Sequence, residues 1–225
     1  MVGVAGIGWI TRQAFGCVGR GERTSLSDDV GLDGPARTAL FDRVPRNFGR
    51  LDRVSRLTIA SVSLALRDAG CTASPERKQD IGIIGTGPSG SLSADLSYFR
   101  DYLECGRKLA RGNLFIYTLP SSPLGEAAIH TGLLGPLLYL ADKRASLSSV
   151  LGTAAEMLSL CEAEAMLAGR TDEEGSFYVL LQRGSESISG GFCDADQAYA
   201  IAERSASIDQ LVEEFKAMKG KWVLS

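Results

Sequence analysis

Apolar positions along this 225-residue chain follow two spacings, and their alternation predicts strands that are separated by helices. Short continuous apolar runs are typical of buried strands, whereas apolar residues three or four positions apart are typical of the inner face of a helix. The predicted strands are 2–10, 81–84, 137–141, 163–168 and 177–182. The predicted helices are 51–69, 92–103, 121–131 and 145–161.

The alternation of strands and helices implies parallel pairing through right-handed crossovers. The strands are apolar at nearly every position, as expected when helices cover both faces of a sheet. The predicted fold class is therefore α/β, with a mostly parallel sheet and helices on both faces. Only the stretch 16–50, rich in Gly, Arg and Asp, departs from this pattern, and it is predicted to be a surface excursion with short helical turns.

The composition changes after Gly184, which predicts a boundary between residues 1–184, the main domain, and residues 185–225. Residues 185–191 are rich in Ser and Gly and are predicted to be a linker. One or two amphipathic helices follow within 195–219 and form a C-terminal helical extension. Their apolar face either packs on the domain or binds a partner. This face comprises Ile208, Leu211, Val212 and Phe215.

Composition and charge restrict the function. Apolar residues make up 44% of the chain, charged residues 23%, and the net charge is −3, so a soluble globular protein without a basic surface for nucleic acid is indicated. The apolar runs are too short for a membrane-spanning helix, and the N-terminus lacks the basic region of a signal peptide, so a cytoplasmic location is expected. The cysteines are odd in number and unpaired in sequence, and there is one histidine, so no zinc site, disulfide framework or other cofactor is expected. The cysteines are Cys17, Cys71, Cys105, Cys161 and Cys193.

A series of short segments occurs in the order known from one enzyme family. These segments are Gly6-Ile7-Gly8, 52–70, 81–87, 114–132, the dipeptide Gly135-Pro136, 154–169 and 178–183. Through them, residues 2–184 resemble the N-terminal half of beta-ketoacyl synthases, which belong to the thiolase-like superfamily. The resemblance implies a thiolase-like half-fold with an acyl-transfer site at a junction between a strand and a helix, where family members carry a nucleophilic cysteine.

Two departures from the family affect the predicted chemistry. Counted from Gly135-Pro136, the nucleophile position falls at Arg144, or at Ala145 if the register is one residue later, and no cysteine lies between Cys105 and Cys161. The family's C-terminal half, with two histidines that assist decarboxylation and condensation, does not follow within the chain. The resemblance therefore implies that no catalytic residue is kept, as in chain-length factors, which pair with an active ketosynthase.

Other side chains have both a chemical and a structural interpretation. Ser146, Ser148 and Ser149 would need a base to act as nucleophiles, and His130, the one histidine, is predicted to be a structural residue. The glycines of 85–90 lack the phosphate-loop pattern and are predicted to allow close backbone packing. Arg144 either meets an anion or a partner carboxylate, or points into solvent.

The partners are also implied by the resemblance. Thiolase-like proteins bury a large surface between two similar subunits, and the strand near 137–141 normally pairs across it. This implies a heterodimer with a full-length ketosynthase or a homodimer, with an acyl carrier protein as a further partner, in fatty-acid, polyketide or aryl-polyene biosynthesis. Two alternatives are a non-cysteine decarboxylase or acyltransferase for acyl thioesters, and a homodimeric module that binds an acyl carrier protein. The predicted interface residues are Leu137, Leu138, Tyr139, Leu140 and Arg144.

Overall fold

The computed structural model of the chain describes residues 1–26, 36–41, 44–45, 47–106, 111–141, 144, 146–184 and 192–222. The strands in these ranges are β1 (Val2–Thr11), β2 (Ala14–Cys17), β3 (Glu22–Ser25), β4 (Ile81–Thr86), β5 (Leu137–Tyr139), β6 (Ala165–Thr171) and β7 (Gly175–Arg183). The helices are α1 (Ala36–Leu40), α2 (Arg53–Asp68), α3 (Leu92–Glu104), α4 (Gly112–Phe115), α5 (Ser122–Thr131), α6 (Leu147–Ser159), α7 (Ala195–Arg204) and α8 (Ile208–Trp222). Two short 3-10 helices lie at Phe48–Arg50 and Ile116–Thr118.

The strands form a sheet in the order β3-β2-β1-β7-β6-β4-β5. β4 lies parallel to its neighbours β5 and β6, whereas the other four pairings are antiparallel. The predicted α/β class is confirmed, but the prediction of mostly parallel pairing is wrong. β6 and β7 are joined by residues 172–174 alone, and a connection this short turns the chain back antiparallel. The Asp172 carboxylate stabilises the turn by accepting hydrogen bonds from the backbone N–H groups of Glu174 and Gly175, at 2.8 and 3.1 Å.

Helices cover both faces of the sheet, as predicted. α2 and α5 contribute to the core on one face, and α6, α7 and α8 to the core on the other. α2 begins after Asp52, whose carboxylate caps the helix by accepting from the Ser55 N–H at 3.0 Å. It packs directly on β1 because Gly8 has no side chain: a Cβ there would lie 2.2 Å from the Ser61 carbonyl oxygen.

The stretch 16–50 contains strands that its composition did not predict. β2 pairs with β1, and β3 folds back on β2 to complete a hairpin. Phe15 and Cys17 of β2 are buried and belong to the core, whereas β3 is exposed at all four positions. The predicted short helical turns are present as α1 and the 3-10 helix Phe48–Arg50, while residues 27–35, 42, 43 and 46 lie outside the described ranges.

The C-terminal helices α7 and α8 pack against the sheet. Asp194 and Gln197 cap α7 reciprocally, side chain to backbone, in a capping box. The predicted apolar face of α8 is confirmed, since Leu211, Val212 and Phe215 are buried in the core that α6 and β7 share. The predicted linker 185–191 lies outside the described residues, and the domain boundary at residue 184 stays a prediction.

Asp68 ties β1 and the β2–β3 hairpin to the end of α2. Its carboxylate accepts hydrogen bonds from the backbone N–H groups of Ile7, Gly19 and Arg20, at 2.8, 2.9 and 2.9 Å. Burial raises the pKa of Asp68, and the three donors and the nearby charge of Lys219 offset this rise only in part. Holding this carboxylate ionised in the folded protein therefore costs folding free energy.

We expect the stability of the protein to fall with rising pH in a manner that depends on Asp68. A group whose pKa is raised on folding stabilises the protein most below its unfolded pKa, about 3.9 for Asp, and this contribution is lost as the pH rises through the folded pKa. Asp68→Asn should remove the dependence because an amide does not titrate. Urea unfolding between about pH 4 and pH 7 measures the effect, with the exposed Asp80→Asn as the control. A constant difference in unfolding free energy between wild type and Asp68→Asn would contradict this assignment.

Candidate functional site

The start of α6 has a row of hydrogen-bonded side chains. Ser146 is the N-cap residue, in an extended conformation, and its hydroxyl is hydrogen-bonded to the hydroxyl of Ser148 and not to a backbone N–H. Ser148 is buried and donates to the carboxylate of Glu203 on α7. A carboxylate of a C-terminal helix is thus held where the chain passes from β5 into α6.

Arg144 lies in an exposed turn two residues before Ser146. Its guanidinium forms no ion pair or hydrogen bond with a described residue. Ala145, the alternative nucleophile position, lies outside the described ranges. That either residue stands at the nucleophile position stays a prediction, and the structure places Arg144 on the wall of a cavity.

This cavity has a volume of about 570 Å³, within the range of small-molecule binding sites. Its walls come from segments that are far apart in sequence: the β1–β2 turn, the β6–β7 turn, the start of α6 and the connection between α7 and α8. Charged side chains of both signs line it. They are Arg12, Arg144, Arg170, Asp172, Glu174, Glu203 and Asp209.

The serines at the start of α6 have no histidine beside them. His130 lies on α5, which packs on the opposite face of the sheet from α6. Its Nε2 atom is 3.5 Å from a carboxylate oxygen of Glu126, one helical turn earlier. His130 is therefore not the base for these serines, which agrees with its structural interpretation.

The described cysteines are also poorly placed for chemistry at this cavity. Burial raises the pKa of Cys17 and of Cys193 to about 12, so both are protonated thiols at neutral pH. Cys105 and Cys161 are exposed, but Cys105 follows α3 and Cys161 lies at the far end of α6. Neither lines the cavity.

The glycines after β4 allow close packing, as predicted. A Cβ on Gly87 would lie 2.4 Å from the Thr171 carbonyl oxygen, and one on Gly85 would lie 2.6 Å from a methyl group of Leu124. A side chain at Gly87 would collide with backbone, whereas one at Gly85 would force the side chain of Leu124 to move. This segment therefore lets β4 approach its neighbours and does not form a phosphate-binding loop.

β5 is the last strand of the sheet and pairs with β4 alone among the described strands. Leu137 is 37% exposed and Leu138 is 41% exposed, so the predicted interface strand is not buried within this chain. Tyr139 and Leu140 fix the strand to β4 and its loop, through Tyr139 Oη to the Gly87 carbonyl at 3.1 Å and the Leu140 N–H to the Gly85 carbonyl at 2.9 Å. No other described strand pairs with the outer edge of β5, which lies next to exposed leucines.

Exposed apolar side chains also occur on the elements next to β5. α3 has four of them at intervals of three or four residues, so the helix has an outward apolar stripe. Further exposed apolar side chains lie on or beside the 3-10 helix Ile116–Thr118, α5 and β5, and each of these elements contacts the next. We call this set the apolar surface: Leu92, Leu96, Phe99, Leu103, Phe115, Ile116, Leu119, Ile129, Leu134, Leu137 and Leu138.

The described residues form neither a metal site nor a membrane-spanning helix. No three His, Cys, Asp or Glu side chains there come close enough to hold a metal ion. No described helix combines the length and apolar character needed to cross a membrane.

Comparison with known proteins decides the family. The family model for the N-terminal domain of beta-ketoacyl synthases matches residues 26–200. The chain belongs to the beta-ketoacyl synthase family. Its matching region includes β4 to β7, α2 to α6 and most of α7.

Two curated relatives are similar in sequence to part of this ketosynthase-family chain. It is 29% identical over 131 residues to nodulation protein E of Rhizobium sp. (strain N33). It is 28% identical over 135 residues to the tetracenomycin polyketide synthase ketoacyl synthase alpha subunit of Streptomyces glaucescens. The matches cover 58% and 57% of this chain and 32% of each relative, so they span about a third of the relatives' length.

The fold of the ketosynthase-family chain is similar to that of the ishigamide ketosynthase/chain length factor. The TM-score is 0.63 at 17% identity, over 83% of this chain and 63% of the other. At 17% sequence identity, the similarity shows a shared fold and nothing more. It confirms the predicted thiolase-like fold.

Sequence reasoning missed two features of this ketosynthase-family chain. The apolar stripe of α3 was readable from the spacing of Leu92, Leu96, Phe99 and Leu103, but the same spacing is typical of a buried helix face. The cavity had no sequence signal, because its walls combine turns with a C-terminal connection whose position depends on the fold.

Proposed function

We propose that this chain is a catalytically silent ketosynthase-like subunit, similar to a chain-length factor, that pairs with an active ketosynthase in fatty-acid, polyketide or aryl-polyene biosynthesis. The observation that supports pairing most directly is the open edge of β5 with Leu137 and Leu138 exposed beside it. An unpaired apolar edge is a template for a strand from another subunit. An acyl carrier protein would be a further partner of the assembled pair.

The apolar surface supports the same conclusion from its size. It contains eleven large side chains, each between 37% and 65% exposed. Contiguous exposed apolar patches of this kind mark interaction sites, because removing apolar area from water is favourable by about 25 cal/mol per Å². A stable interface needs roughly 1,000 Å² of total buried area, and β5, α5 and α3 together offer a continuous surface for it.

Catalytic silence is proposed from the residues at the start of α6. Acyl transfer needs a nucleophile, a base and donors for the developing oxyanion. No cysteine lies there, Ser148 is buried and so shielded from a substrate, and His130 is on the other face of the sheet. The partner would supply the nucleophile, and this chain would shape the acyl tunnel or hold the carrier protein.

We expect the isolated chain to form neither an acyl adduct nor an elongated product when it is incubated with acyl and malonyl carrier thioesters. Arg144→Cys should remain inactive as well, since a thiol alone provides one of the three functions that acyl transfer requires. Intact-protein and product mass spectrometry measure both outcomes. A stable acyl adduct on any Ser or Cys of the wild-type chain would contradict the proposal.

The same reagents separate the two alternative functions. Release of carbon dioxide from the malonyl thioester by the isolated chain would indicate a decarboxylase that uses a non-cysteine route. A homodimer that binds acyl carrier protein, but does not associate with a ketosynthase, would indicate a binding module. Light scattering of the chain with and without a ketosynthase provides the second comparison.

A further inference from the structure

The charged side chains around the cavity beside Arg144 are paired unevenly. Arg12 lies 2.5 Å from a carboxylate oxygen of Glu174, across the two turns that form one wall. Arg170 lies 3.5 Å from Asp172, in the turn that follows its own strand. These two guanidinium groups are therefore neutralised by acidic neighbours within the cavity wall.

The remaining groups leave one positive charge without a partner. Glu203 accepts the hydrogen bond from Ser148, and Asp209 lies in the first turn of α8, where a negative charge is favourable. Arg144 is the guanidinium in the wall that forms no ion pair or hydrogen bond with a described residue. The hydroxyl of Ser205, which also lines the cavity, is buried and has no hydrogen-bond partner among the described residues. Arg144 is thus the guanidinium of the described wall whose charge no carboxylate balances.

We propose that this cavity binds a small organic monocarboxylate, with the carboxylate at Arg144 and the apolar part against Leu147 and Ile208 of the wall. The guanidinium group suits a carboxylate because its N–H groups match the two oxygens. This inference does not depend on pairing with a ketosynthase.

The charge count limits the negative charge of the ligand to one. Four carboxylates and three guanidinium groups line the cavity, so its wall already has a net negative charge. A monoanion balances Arg144, whereas a phosphate dianion would be repelled by the carboxylates once Arg144 is neutralised. The apolar side chains of the wall favour a carboxylate that has a hydrocarbon part.

Calorimetric titration of the full chain with hexanoate and with benzoate tests the proposal. We expect saturable binding of at least one carboxylate, and at least about tenfold weaker binding of hexan-1-ol, benzyl alcohol and inorganic phosphate, because each lacks either the matching charge or the apolar part. Arg144→Gln should weaken carboxylate binding at least about tenfold. Glu203→Gln should strengthen it, since it removes a negative charge from the wall and keeps an acceptor for Ser148.

Arg100→Gln on α3 is the matched control, because it removes the same charge from an exposed position that does not line the cavity. It should leave the dissociation constant unchanged. Thermal unfolding without ligand checks that each variant is folded, and the opposite signs expected for Arg144→Gln and Glu203→Gln distinguish a site effect from a folding defect. Equal affinity in wild type and Arg144→Gln, equal binding of alcohols and carboxylates, or no saturable binding of either carboxylate would overturn the proposal. None of these results would affect the pairing proposal, which is measured by assembly.

Discussion

Replacing Leu138 with Asp should abolish assembly of the chain, whether its partner is a ketosynthase or a second copy. Leu138 lies on the open edge of β5 and within the apolar surface. A carboxylate at this position would be buried without a partner in the interface, at a cost of about 3–5 kcal/mol, which corresponds to a loss of affinity of more than about a hundredfold. Light scattering and a binding titration with the partner measure the change.

Leu160→Asp is the matched control for this substitution. Leu160 is also an exposed leucine, but it lies at the end of α6 and outside the apolar surface. It should assemble as the wild type does. If the wild-type chain is a monomer at micromolar concentration, both alone and with ketosynthase partners, the edge of β5 is not an interface and the pairing proposal fails.

Phe215→Ala should produce the largest loss of folding stability among single changes in the C-terminal helices. Phe215 is fully buried and stacks on Phe177 of β7, with ring centroids 5.9 Å apart and an angle of 27° between the rings. Removing a buried phenylalanine leaves a cavity and costs about 3–5 kcal/mol, a large fraction of the roughly 5–15 kcal/mol that stabilises a typical domain. Urea unfolding of the whole chain measures the loss of unfolding free energy.

Tyr199→Ala on α7 provides the comparison, since Tyr199 is an aromatic residue that is 45% exposed. Its removal should cost less than about 1 kcal/mol. A similarly small effect of Phe215→Ala would mean that α8 is not part of the cooperative unit, and residues 185–225 would then be an appendage. A large loss of unfolding free energy would mean that α8 unfolds together with the rest of the domain.

The long helices could be predicted from the sequence because each buries one continuous apolar face. The predicted bounds of α2, α3, α5 and α6 agree with the structure to within two residues. The hairpin of β2 and β3 could not be predicted, because β3 is exposed at all four positions and has no alternation to reveal it. Antiparallel pairing of β6 and β7 was predictable from the brief charged turn at Asp172, but the alternation of strands and helices elsewhere favoured a parallel sheet.

In the candidate site, too, local features could be predicted from the sequence, whereas contacts between distant residues could not. The position of Arg144 before α6 follows from counting along one continuous segment. The bond between Ser148 and Glu203 joins residues 55 positions apart, and no local pattern predicts it. The exposure of Leu137 and Leu138 depends on the strand order, which places β5 at the end of the sheet. The sequence thus predicted where these residues lie along the chain, whereas the residues that they contact depend on the topology of the fold.

The two ends of the sheet differ, and this difference limits the stoichiometry of any assembly built on it. β3, at the end opposite β5, exposes Glu22, Arg23, Thr24 and Ser25, and charged strands of this kind discourage the addition of another strand. A sheet that accepts a strand at one end alone can be extended only once. After two copies of this chain join through β5, both outer strands of the joined sheet would be the polar β3. Growth into a fibre would require a receptive edge at both ends. If the chain assembles through β5 as proposed, the assembly would therefore close at two subunits, which would protect the exposed leucine edge from open-ended aggregation.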